Sequence, residues 1–98
     1  MGLDVTGALR YPDPDATWLA RHVEDILEPE IPIVDAHHHI WAQPGNVYGV
    51  EDLRADVLTG HKVVATVFVQ AHHAYRSAGP EALRCVGETE SIEQLAND

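Results

Sequence analysis

Three observations predict an α/β chain built on a βαβ unit. Two β-branched apolar runs, IVDAHHHI at 33–40 and VVATVFVQ at 63–70, read as buried strands. A helix-sized segment with apolar residues on one face lies between them. Strands joined through a helix run parallel, because the crossover returns the chain to the same end of the sheet. The length of 98 residues leaves room for only these two strands. Two strands begin an α/β sheet and do not finish one.

The elements follow in order. Residues 1–12 show no periodicity and read as an irregular arm. Asp13-Pro14 is a helix start, with a carboxylate for free N–H groups and a proline suited to the first turn. Trp18, Leu19, Val23, Ile26 and Leu27 recur at helical spacing, so a helix is expected over 15–27. Pro29 and Pro32 end it. The first strand covers 33–40. A loop over 41–49 contains Pro44-Gly45-Asn46, a turn signal. A short helix over 51–59 places Leu53, Val57 and Leu58 on one face, with Gly60 just past its end. The second strand, 63–70, is continuously apolar, as expected of a strand covered on both faces. Beyond it lie a loop, AHHAYRSAG, a helix opened by Pro80 over 81–86, and an acidic tail, helical in part.

Composition narrows the functions. Six Lys and Arg stand against 16 Asp and Glu, a formal charge of −10, which repels nucleic-acid phosphates. Cys85 is the single cysteine, so an internal disulfide is impossible and a secreted disulfide scaffold is excluded. No stretch approaches the roughly 20 apolar residues of a membrane span. The N-terminus lacks the basic-then-apolar order of a signal peptide. The expectation is a soluble, cytoplasmic protein that binds neither nucleic acid nor membrane.

Five of the seven histidines fall at the predicted strand ends: His37, His38 and His39, then His72 and His73. Strand side chains alternate, so Asp35, His37 and His39 share one face and His38 takes the other. Two imidazoles two residues apart can converge on one ion, and zinc or a similar divalent metal suits them. The competing reading is an ordinary polar strand end. Asp35 either orients a ligand or caps the turn.

Parallel neighbours lie about 4.8 Å apart with their C-terminal ends on one side, where ligands of α/β folds gather. His72 and His73 are therefore candidates for substrate contact or proton transfer, or else a solvated loop pair. Gln70 either hydrogen-bonds a substrate oxygen or terminates its strand. Trp41 and Tyr48 either wall a pocket or pack the loop. His22, His61 and Cys85 read as structural.

The stretch Pro32-Ile33-Val34-Asp35-Ala36-His37-His38-His39-Ile40-Trp41 resembles the first barrel strand of the amidohydrolase-related family, metal-dependent TIM-barrel hydrolases with a lactonase-like branch. Residues 63–71 resemble its second strand, and Gly79-Pro80-Glu81-Ala82-Leu83-Arg84 and Gly87-Glu88-Thr89-Glu90 are also similar to a subgroup. The resemblance covers about residues 17–90. It implies a (β/α)8 barrel with its site at the C-terminal face of the strands and His37 and His39 as metal ligands. The implied activity is hydrolysis of a lactone, ester or amide of a small organic acid through metal-activated water. Lactonase-like members include enzymes that work without a metal, and related barrels include non-oxidative decarboxylases.

A barrel needs about 250 residues. Residues 1–30 are therefore expected to form an arm and helix, 31–90 the first two βα units of an incomplete barrel, and 91–98 a divergent acidic tail. The further ligands and the late catalytic aspartate that the family implies lie outside this sequence. By itself the chain is expected to be inactive, a fragment or non-catalytic remnant, and to self-associate through exposed strand edges.

Overall fold

The computed structural model describes residues 2–3, 9–10 and 14–98. Strands β1 (Gly2–Leu3) and β2 (Leu9–Arg10) pair antiparallel. They fall inside the arm expected to be irregular, and Asp13, the expected helix start, lies outside the described residues. Asp15 caps instead: its carboxylate accepts the Trp18 N–H at 3.0 Å and opens helix α1 (Ala16–Leu19).

The helix expected over 15–27 thus stops after four residues. Its apolar stripe finds no surface to bury. Trp18 is 63% exposed, Val23 85% and Leu27 89%, and a helix shorter than roughly 12–15 residues is marginal in water without packing. Of that stripe only Ile26 is half-buried. It lies over Gly60, where a Cβ would sit 2.5 Å from the Ile26 Cδ1. The φ of +121° at Gly60 also requires glycine.

Strand β3 (Pro32–His38) leads into a hairpin of β4 (Trp41–Gln43) and β5 (Asn46–Tyr48). The stretch expected as a loop is therefore paired, with Trp41 opposite Tyr48. Pro44-Gly45 makes the turn, and Gly45 supplies the left-handed residue at φ +74°. Helix α2 (Val50–Val57) follows, its start held by the Asp52 carboxylate, which accepts the Gly49 N–H at 2.8 Å. Leu53 and Val57 are half-buried, but Leu58, expected on the same face, is exposed.

Strand β6 (Lys62–Phe68) pairs parallel with β3, completing the predicted βαβ unit. Ile33 pairs with Val63, Val34 with Ala65, Asp35 with Thr66 and His38 with Phe68. The register slips by one residue after Ile33 and back again between Asp35 and His38. The second slip is an extra residue in β3 within Ala36-His37, and such a bulge re-aims the side chains beside it.

After β6, a 3-10 turn (Glu81–Leu83) replaces most of the helix expected from Pro80. Helix α3 (Val86–Asn97) then runs through the segment expected as a separate tail, so residues 91–97 belong to the same helix as Gly87 and Glu88.

The architecture is mixed α/β with three two-stranded sheets. No third strand joins β3 and β6 among the described residues, and no portion of a barrel is displayed. The expectation that β6 is covered on both faces is corrected. Val64 is 57% exposed and Val67 48%, as is Val34 of β3 at 56%. Ile40 is the one buried large hydrophobic among the described residues. The chain exposes 8250 Å², whereas a compact monomer of this mass exposes about 5,500 Å². Among the described residues nothing packs against one face of this sheet, and that accounts for the strand exposure.

Candidate functional site

The carboxyl end of β3 builds its site mainly from local contacts. The Asp35 carboxylate accepts the His37 N–H at 3.0 Å, so Asp35 caps the bulge. The His37 and His39 rings meet edge to face at 4.8 Å, and their Nε2 atoms lie 3.1 Å apart. His38 turns its ring to Phe68, 5.7 Å away. The predicted split of the three histidines between two faces is the observed one.

The partner strand fixes the orientation of His39. The sheet ladder continues as Val69 N–H donates to the His38 carbonyl at 2.8 Å. His39 Nδ1–H then donates to the Val69 carbonyl at 2.7 Å. A carbonyl can only accept, so this bond assigns the Nδ1–H tautomer and leaves the Nε2 lone pair facing His37. His37 correspondingly donates from Nε2 to that lone pair. Ligating histidines are commonly oriented in this way by a carbonyl on the remote nitrogen.

Loss of the His37 Nε2 proton would leave two lone pairs at a spacing that suits one divalent ion. Imidazole nitrogens each roughly 2.0–2.1 Å from one zinc ion lie about 3.0–3.4 Å apart. The observed 3.1 Å falls within that range. A catalytic zinc site takes three protein ligands, and no cluster of three metal-binding side chains occurs among the described residues. The arrangement brings together two imidazole nitrogens, short of such a set.

An open groove of about 680 Å³ runs past this pair, with Asp35, Trp41, Tyr48 and Asp56 in its walls. Trp41 stacks on Tyr48, ring centroids 5.2 Å apart, and its indole N–H donates to the Asn46 side chain at 3.0 Å. It therefore pins the hairpin and walls the groove together. The Tyr48 hydroxyl donates to Asp56 at 2.5 Å. Burial, the bond to Asp56 and the charges of Asp56, Asp52 and Asp35 push the Tyr48 phenol up to about 12.

The end of β6 is organised differently. Gln70 is exposed and donates to the Tyr75 hydroxyl. His72 is exposed at φ +58°, its ring 5.4 Å from that of Tyr75. His73 is half-buried. Neither His72 nor His73 lines the groove beside His37 and His39. Of the histidines set apart as structural, His61 borders the groove, and His22 contacts Glu24 at the surface.

Sequence reasoning missed Glu88 as an individual residue. It is 2% exposed, and its two carboxylate oxygens accept the N–H groups of Ala71 at 2.6 Å and His73 at 2.7 Å. Nothing in an acidic segment distinguishes this glutamate from its neighbours. The adjoining Gly87 was the available signal, since a glycine within a helix marks a close approach. The Tyr48–Asp56 bond was likewise not foreseen.

No family model, no curated protein and no solved structure matches the chain. No helix among the described residues is long and apolar enough to cross a membrane.

Proposed function

We propose that the chain carries the first-strand half of a divalent-metal site of the amidohydrolase type, serving hydrolysis of a lactone, ester or amide of a small organic acid. The observation that carries this reading is the His37–His39 pair: two Nε2 atoms 3.1 Å apart, one committed as a lone pair by the bond from Nδ1 to Val69. When bound, a divalent ion would supply Lewis acidity, polarising a carbonyl and acidifying water. His37 and His39 would hold it, and Asp35 fixes the backbone that presents His37. Trp41 and Tyr48 offer an aromatic wall to an apolar part of the substrate. His72, His73 and Gln70, on the neighbouring strand end, are the proposed polar contacts or proton carriers.

A second reading has a specific observation in its favour. Two ligands fall short of a catalytic set, and one face of the β3–β6 sheet is left exposed among the described residues. In this reading the chain by itself is a binding or interaction module without turnover.

Equilibrium dialysis against zinc tests the metal site. The expected result is one ion per chain, with a dissociation constant on the order of 10–100 µM for a half-set of ligands, lost in His37→Ala and His39→Ala. Retained binding in both variants would overturn it. Assaying lactone opening by the same samples separates the two readings. Zinc-dependent turnover that vanishes in both variants supports a self-sufficient hydrolase, and zinc binding without turnover supports the module.

A further inference from the structure

The loop after β6 holds a conformation that its own residues disfavour. His72 and Ala74 both have positive φ, +58° and +56°, a region that side chains other than glycine rarely enter. Such backbone persists only where the surroundings enforce it. The enforcing groups come from α3. Glu88 is almost fully buried, and each of its carboxylate oxygens accepts one loop N–H, from Ala71 and from His73. Those two donors flank His72, so the carboxylate closes the turn around it. Gly87 permits the approach: a Cβ there would stand 2.5 Å from the Ala74 carbonyl and 2.6 Å from the Arg76 nitrogen. Arg76 completes the attachment, donating from its backbone to the Arg84 carbonyl at 2.9 Å and from its guanidinium to Glu90.

We propose that Glu88 is a positioning residue that holds His72 and His73 as a preformed arm at the carboxyl edge of the sheet. The inference rests on the preceding reading only in taking that edge for the site. A carboxylate is required because both of its oxygens accept. A glutamine keeps one acceptor and turns an NH2 toward the second N–H, so one bond is lost and a donor faces a donor. Because α3 packs on the loop here, the position of the histidine pair depends on a residue that does not touch substrate.

The test is nuclear magnetic resonance on the full chain and on Glu88→Gln, without metal. In the wild type the amides of Ala71 and His73 are protected from exchange, and residues 71–76 are as ordered as β3 and β6. In Glu88→Gln exchange at one or both amides accelerates about tenfold or more. The ring resonances of His72 and His73 move to those of free histidine, and those of His37 and His39 stay in place. A wild-type loop as mobile as a chain terminus would overturn the proposal even if the variant fails to fold. So would a Glu88→Gln spectrum changed along α3 with the loop and its histidine rings unmoved, which is the signature of mere helix capping. A zinc titration of both proteins reports on His37 and His39 separately, so a failed metal site leaves this test standing.

Discussion

The two parallel strands end side by side, and each delivers histidines to the same edge of the sheet by opposite means. At the end of β3 the geometry is set nearby. Asp35 holds the backbone of His37, two residues on, and the next strand holds His39 through Val69. At the end of β6 it is set remotely, by a glutamate 17 positions beyond Ala71 and 15 beyond His73. The first site is a property of a strand and its neighbour; the second depends on the docking of a helix. The β3 site should therefore resist changes in α3, and the β6 site should fail with them.

The largest expected effect tests that dependence. Glu88→Ala leaves two N–H groups without their charged acceptor and is expected to destabilise the chain by roughly 3 kcal/mol, read from urea unfolding. A loss under about 0.5 kcal/mol would mean that α3 does not hold the loop. Gly87→Ala forces a Cβ into backbone and is expected to cost about 1–3 kcal/mol by the same measurement.

Metal affinity sharpens the contrast. His37→Ala or His39→Ala is expected to weaken zinc binding by about 100-fold or more, whereas His72→Ala and His73→Ala leave it unchanged in dialysis. Equal losses at all four positions would merge the two sites into one.

The groove wall gives a smaller, spectroscopic effect. The phenol of Tyr48 is expected to ionise at about 12, above the ordinary 10.0. A raised value in the folded chain stabilises it fully below pH 10 and is lost as the pH rises through 12. Asp56→Ala removes the bond and the nearest charge, so phenolate absorbance should then appear at lower pH. Leu27→Ala should do least, less than about 0.5 kcal/mol, because Leu27 is 89% exposed.

What was legible in the sequence follows the same division. Two β-branched apolar runs joined through a helix predicted β3, β6 and their parallel pairing, and strand alternation predicted the shared face of His37 and His39, because these depend on neighbours in the chain and in the ladder. The first helix was misread because Trp18, Val23 and Leu27 have helical spacing but no surface to meet. The hairpin over Trp41–Tyr48 was reduced to its turn, since two three-residue strands carry little periodicity. Glu88 was signalled only indirectly, by the adjoining Gly87, because its burial comes from tertiary contact between α3 and the β6 loop. The bulge at Ala36-His37 was equally hidden, although the alternation across it reached the right faces.

The central claim is that His37 and His39 form a metal half-site independent of the second histidine pair. Zinc titrated into the labelled chain and followed by the histidine ring resonances tests it most directly. Saturable shifts are expected only at His37 and His39, carried to Val69 through the Nδ1 bond, with His72 and His73 silent. Shifts that begin at His72 and His73, or none at either pair at millimolar zinc, would contradict it.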